Sequence, residues 1–289
     1  MKDFGYQKVL TLEDAFYLLD QFQERAGILA GGTDLLVKIR GHILSPNFLI
    51  DIKGIPGLDE IRYDPAVGLR LGALVSIRAL ETSSLIKEKY GGISLAAGSL
   101  GSFQVRTRAT LGGNLCNGSP AADMAPCLVS LGARVKIVGK KEDRLIPLEE
   151  FFISPGKTRL RPDEILTAIE VSNPLALTSC VYIKHSIRKA MDLAIVGVAV
   201  ALSADSAKRK CEEVRIALGA VGPVPLRAKN AESRLRGQKL DKISIAEASQ
   251  IASEEVRPIS DLRASAGYRR EMVRIITERA LHQARGALP

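Results

Sequence analysis

The sequence predicts an α+β chain, and three observations carry that expectation. Roughly the first sixty residues read as a strand–turn–helix–strand unit. From Gly68 onward apolar residues alternate with polar or small ones, the pattern of half-buried strands. The last third passes through three strand-like segments and then into helices, as in a small α+β domain.

Each element has its own signal. Thr11 stands where a helix N-cap is needed, with Asp14 in capping-box position, and Leu12, Ala15, Phe16, Leu19 and Phe22 follow at helical spacing. The apolar run 27–30 leads into Gly31-Gly32, after which Thr33 caps a short helix through Leu35, Leu36 and Ile39. Residues 48–52 read as the next strand. Leu69 and Leu71 mark another, Ser76 caps a helix through Leu80, and a second helix is expected near 94–102. Segments 134–138 and 165–171 read as strands. Asn173-Pro174 is a turn signal and the expected boundary between region 1–175, with subdomains at about 1–60 and 61–175, and a C-terminal domain 176–289. In that domain 181–185, 194–201 and 214–220 read as strands. Two or three helices follow, the last long, from about 262 to 285.

Composition excludes several classes. With 289 residues, 46% apolar and 25% charged, the chain has ample material for a packed core and is not globally disordered. Forty-one Lys and Arg against 32 Asp and Glu give a net charge of +9 and a pI near 9.4, compatible with an anionic ligand, an acidic partner or nucleic acid. Nucleic acid is not expected, because Trp is absent, aromatics are 4% and no base-stacking motif or zinc finger appears. The most apolar stretch, 193–204, is much shorter than the roughly 20 residues of a membrane span. The opening MKDFGYQKVL carries Asp3 and no long apolar core, so no secretory signal is expected. Cys116, Cys127, Cys180 and Cys211 form no CxxC pair, so neither a zinc ribbon nor a disulfide framework is indicated, and a reduced, cytoplasmic protein is expected. His42, His185 and His282 are scattered and form no cluster.

Two segments carry chemistry. In Ala30-Gly31-Gly32-Thr33-Asp34, two glycines between a strand and a helix allow close backbone approach to a ligand, with N–H groups facing an anion. It is neither GxGxxG nor GxxxxGK[ST]. The second segment runs from Arg106 through Thr110-Leu111-Gly112-Gly113-Asn114 to Ser119 and Asp123. It reads as a polar, small-residue loop rich in N–H donors, with Arg106 and Arg108 adding positive potential. Two such loops could grip a pyrophosphate from two sides.

AGGTDLL (30–36) and TLGGNLCNGSPAADMAP (110–126) resemble the two FAD-binding segments of the flavoprotein medium subunit of molybdenum hydroxylases, the family of xanthine dehydrogenase and carbon monoxide dehydrogenase. The segments 182–184 with 188–194, 217–223 and 261–270 resemble later signatures of that family, in the same order, so the resemblance spans essentially the whole chain. It implies a two-subdomain FAD-binding (PCMH/VAO-like) region plus a small C-terminal domain of antiparallel sheet and helices. By the same resemblance, Leu29, Ala30, Gly31, Gly32, Thr33, Asp34 and Leu35 line the pyrophosphate together with Thr110, Leu111, Gly112, Gly113 and Asn114. Ser119, Ala122 and Asp123 meet polar parts of FAD, Leu166 packs near the adenine or the ring system, and Tyr182 and Lys184 lie near the isoalloxazine. A cation at Lys184 would favour the reduced flavin.

The activity implied is electron transfer. A large subunit with a molybdenum cofactor hydroxylates the substrate, and electrons pass through a small [2Fe-2S] subunit to FAD and on to NAD, a quinone, dioxygen or another carrier. Assembly as a dimer of heterotrimers is implied, and no catalytic acid or base is required of this chain. Excess positive charge would complement the FAD phosphates and acidic neighbouring subunits. The spacing of the cysteines supplies no four-ligand cluster loop, so no iron–sulfur centre is expected here. The alternative reading is a stand-alone FAD-dependent NAD(P)H oxidoreductase, against which the segments at 217–223 and 261–270 argue.

Overall fold

The structure is a computed structural model and describes residues 3–289. Met1 and Lys2, the first residues of the opening segment read above for a secretory signal, lie outside the described residues.

The N-terminal part is built on a three-stranded parallel sheet. Strands β1 (Gly5–Lys8) and β2 (Ala26–Leu29) flank β3 (Phe48–Asp51), with α1 (Leu12–Phe22) and α2 (Leu35–Arg40) in the connections. The Thr11 side chain accepts from the Asp14 N–H and starts α1, whose Ala15, Phe16, Leu18 and Leu19 are buried. Phe22 stacks on Phe48 at 4.2 Å between ring centroids. The short β1 carries no sequence signal of its own, because three of its four residues are exposed.

The middle part is an antiparallel sheet in the order β4-β5-β10-β6-β7, formed by β4 (Ile61–Asp64), β5 (Gly68–Gly72), β6 (Arg134–Gly139), β7 (Asp143–Pro147) and β10 (Glu164–Ser172). The two-stranded hairpin β8 (Phe152–Ser154) and β9 (Lys157–Thr158) stands apart. Between β5 and β6 the chain runs through α3 (Ile77–Thr82), α4 (Ser84–Lys89), α5 (Gly91–Ser99), α6 (Phe103–Arg108), α7 (Leu111–Cys116) and α8 (Met124–Ser130), and α9 (Leu148–Phe151) follows β7. The helix expected near 94–102 therefore lies earlier, and Ser102 caps the next one by accepting from the Val105 N–H.

The C-terminal part is an antiparallel sheet of β11 (Thr178–His185), β12 (Val196–Ala204), β13 (Cys211–Gly219) and β14 (Leu226–Arg227), followed by α10 (Lys229–Leu235), α11 (Lys242–Glu254) and α12 (Ala266–Gly286). Helix α12 begins later than 262 because Ser265 caps it at the Tyr268 N–H. The chain is thus a mixed α+β protein. Tyr182, Ala199 and Ala217 of the C-terminal sheet belong to the same buried core as the middle helices and sheet. Among the described residues no helix is long and apolar enough to cross a membrane.

Candidate cofactor-binding site

A cleft of about 490 Å³ opens where the three parts meet, within the range of roughly 300–1,000 Å³ usual for ligand sites. Its first wall is the 30–34 turn after β2. This strand pairs in parallel with β3, and the Ala30 carbonyl accepts from Lys53 Nζ at 3.2 Å. Lys53 is itself held at 2.8 Å by the buried Asp51, which also takes the Tyr6 hydroxyl. Gly32 has a φ of +76°, a conformation that glycine adopts without strain. A Cβ at Gly31 would collide with the Arg108 carbonyl oxygen, so this glycine lets the two signature segments touch.

The second wall is held by backbone bonding. The Ala73 N–H donates to the Thr167 carbonyl of β10, and the Ala73 carbonyl accepts from the Gly112 N–H. Ile77 N–H donates to Ala109 and Leu111 N–H to Val75. Thr110 caps α7 by accepting from the Gly113 N–H. Further on, the Pro120 carbonyl accepts from Ala220 N–H at 2.7 Å, tying the 119–123 segment to the end of β13. The third wall comes from the β11–β12 connection, where Met191 N–H donates to the Gly101 carbonyl at 3.1 Å.

Ala30, Gly31, Gly32, Thr33, Asp34, Leu35, Thr110, Gly113, Asn114, Ser119, Ala122 and Asp123 all line this cleft. Leu29, Leu111, Gly112, Leu166, Tyr182 and Lys184 do not. Leu111 is fully buried, and Gly112 is packed so closely on Ala73 that a Cβ would sit 2.7 Å from the Ala73 Cβ. Leu166 lies in the core at a bulge of β10. Tyr182 and Lys184 hold Asp123: Tyr182 Oη donates at 2.9 Å to one carboxylate oxygen and Lys184 Nζ at 2.9 Å to the other. Lys184 also donates to the Ser99 carbonyl at 3.1 Å. Burial nevertheless raises the Asp123 carboxyl above its ordinary value, against the pull of Lys184 and Tyr182, and the same burial pushes the Tyr182 hydroxyl well up.

Four local expectations change. Thr33 is not the cap of α2: Asp34 occupies the N-cap position with no side-chain hydrogen bond, and Thr33 faces the cleft. The second segment is not loop throughout, because Thr110 folds Leu111–Cys116 into α7. Capping and close packing thereby consume the N–H groups of Leu111, Gly112 and Gly113. Arg106 adds no free positive potential, since its guanidinium binds both oxygens of Glu81 at 2.7 and 3.2 Å. Arg108 is exposed and does not line the cleft.

Sequence reasoning missed Lys38, Leu100 and Gly101, and it met Asn117 in the polar loop and Met191, Asp192 and Leu193 in the 188–194 signature without giving them a role; all seven line the cleft. The polar run after Asn114 and the 188–194 signature pointed to some of these places. Lys38, on a helix chosen for its apolar spacing, gave no such signal. Cys116 also lines the cleft, its thiol pushed up to about 12 by burial.

FAD fits this lining. Among the described residues, no acceptor takes up the N–H groups of Gly31, Gly32, Thr33 or Asp34, which suits a diphosphate. The buried Oδ1 of Asn114 has no partner and suits a ligand hydroxyl.

Residues 2–174 match the model of the FAD binding domain in molybdopterin dehydrogenase, and residues 181–284 match that of the CO dehydrogenase flavoprotein C-terminal domain. The chain belongs to this family. Similar relatives include the xanthine dehydrogenase FAD-binding subunit of Escherichia coli O157:H7, 30% identical over 98% of this chain and 97% of that one. The carbon monoxide dehydrogenase medium chain of Afipia carboxidovorans is 31% identical over 98% of this chain and 96% of its own. Among solved structures, carbon monoxide dehydrogenase from Hydrogenophaga pseudoflava superimposes with a TM-score of 0.95 at 30% identity, covering 100% of this chain and 99% of that one. The chain is therefore an FAD-binding oxidoreductase subunit of the molybdenum hydroxylase family.

Proposed function

We propose that this flavoprotein subunit takes electrons from the [2Fe-2S] clusters of a small partner subunit and passes them through FAD to an external acceptor. A large subunit with a molybdenum cofactor carries out substrate hydroxylation, and the three chains assemble as a dimer of heterotrimers. The observation that carries this reading is the cleft in which both signature segments meet, in a chain similar along its whole length to named FAD-binding and medium subunits. Bound FAD supplies the redox chemistry, because a flavin accepts electrons singly and releases them as a pair.

The residues of the chain bind and orient. The open N–H groups of the 31–34 turn offer donors to the diphosphate, while the 110–123 segment offers the side chains of Thr110, Asn114 and Ser119. Asp123 presents a carboxyl whose orientation Tyr182 and Lys184 fix. Lys184 already faces a carboxylate, so its charge is largely offset before any flavin is considered. No side chain is assigned a proton-transfer step.

The test is purification of the chain from its own cells. An oxidised-flavin spectrum, release of FAD, and co-purification of one chain with molybdenum and one with [2Fe-2S] signals support the reading. A colourless protein overturns it. A flavin-loaded single chain that turns over NAD(P)H without partners would establish the stand-alone alternative instead.

A further inference from the structure

We infer that Lys38 is the cation that meets the diphosphate of the cofactor, and that it selects flavins carrying that group. The inference rests on the cleft being the FAD site and adds a residue to which no role has been given.

The argument begins with charge. The titratable carboxylates lining the cleft are Asp34, Asp123 and Asp192, and Lys38 is the one Lys or Arg among the described lining residues. A diphosphate entering such a lining meets repulsion unless donors and a cation offset it. Of the other cations around the cleft, Lys53 is committed to Asp51 at 2.8 Å, Arg106 to Glu81 at 2.7 Å and Lys184 to Asp123 at 2.9 Å, while Arg108 is exposed and outside the lining. Among the described residues Lys38 is in no ion pair, and its Nζ donates at 2.6 Å to a neutral acceptor, Asn117 Oδ1.

Geometry agrees with the charge. Lys38 lies on α2, one turn after the 31–34 turn whose N–H groups are open, and its N–H donates to the Asp34 carbonyl at 3.0 Å. Asn117 follows α7 in the second signature segment. The Lys38–Asn117 bond therefore spans the cleft between the two segments that face the ligand. Exchanging an amide oxygen for a phosphate oxygen turns a hydrogen bond between an ion and a neutral group into one between opposite charges. Lysine suits this role, being a compact charge with rotatable donors on a flexible stem. Asp34, whose carboxyl is raised by desolvation and lowered by Lys38, would otherwise stand unopposed beside the ligand.

The test uses the full-length chain stripped of flavin, with Lys38→Met and Lys38→Arg variants, titrated with FAD, ADP and riboflavin. Lys38→Met is expected to weaken FAD and ADP by roughly 10- to 100-fold, the loss of one charge-assisted bond, and to leave riboflavin unchanged. Lys38→Arg is expected to recover most of the FAD affinity, and added salt is expected to weaken FAD less in Lys38→Met than in the parent. Equal FAD affinity in parent and Lys38→Met overturns the assignment. So does an equal loss for riboflavin, which marks Lys38 as a structural strap through Asn117. A parent chain that binds no FAD defeats the functional reading itself, a result distinct from either.

Discussion

At the scale of single residues, the buried Asp123–Lys184 pair decides how the back wall of the cleft behaves. Both side chains are under a tenth exposed, and their 2.9 Å contact is supported by the Tyr182 hydroxyl. The Asp123 carboxyl is raised, burial outweighing its partners. An acid whose folded value exceeds its unfolded one, about 3.9, contributes its full stability below that unfolded value and loses it as pH rises through the folded one. Removing the cation raises the folded value further, so the cost of Lys184→Met must grow with pH. Unfolding in urea is expected to show a loss of about 3–5 kcal/mol at alkaline pH, as for other broken buried pairs, and a loss that shrinks as the pH is lowered and Asp123 takes up a proton. Adding Asp123→Asn is expected to remove the pH dependence. A loss of the same size as the pH is lowered would show that the pair is not what the lysine serves. The sequence signature placed Tyr182, Lys184 and Asp123 together as cofactor residues. It carried no sign of the bonds that Tyr182 and Lys184 make to the two oxygens of Asp123, because residues about sixty positions apart show no pairing in a single sequence.

At the scale of elements, the two Gly-Gly pairs do different work, and substitution separates them. Gly31→Ala places a methyl group against the Arg108 carbonyl oxygen and 3.0 Å from the Ala109 Cα, all backbone, so the two walls must part. Gly112→Ala meets Ala73, also at backbone, so α7 must move off the end of β5. Gly31→Ala is expected to lower FAD affinity at least tenfold, about 1.4 kcal/mol in a binding titration. Gly112→Ala is expected chiefly to cost stability, about 1–3 kcal/mol in urea, as overpacked sites do. Equal effects of the two on FAD affinity would contradict this division. Elements with a strong local signal were legible: Thr11 and Ser76 cap where expected, and the strands at β5, β10, β12 and β13 follow their apolar runs. The failures have local causes. Thr33 and Asp34 are both acceptable caps, and the chain uses the second position without a side-chain bond. The small residues after Thr110 look like loop, yet their lack of bulk is what lets α7 lie against Ala73. Helix α6 has no buried residue and hence no apolar stripe to read.

For the whole molecule, the cleft joins parts that are distant in sequence. The 30–34 turn touches Arg108, Ala220 is bonded to Pro120, Met191 to Gly101, and Lys184 to Asp123. Beneath these contacts, Tyr182, Ala199 and Ala217 of the C-terminal sheet share a core with the middle part. A ligand filling the cleft therefore binds only when all three parts are in place, and its binding free energy becomes stability of the whole. At a free FAD concentration a hundredfold above Kd that gain is about 2.7 kcal/mol. In a chain of this size it corresponds to a rise in Tm of roughly 5 °C. Calorimetry is expected to show the flavin-stripped chain melting in one transition that moves upward with added FAD and returns when FAD is removed. Hydrogen exchange is expected to slow on FAD addition in β11 as well as in the 30–34 turn, because Lys184 and Tyr182 hold the wall on which Asp123 sits. Two transitions, of which FAD moves only that of the N-terminal part, would mean that the C-terminal sheet packs beside the cofactor site without completing it.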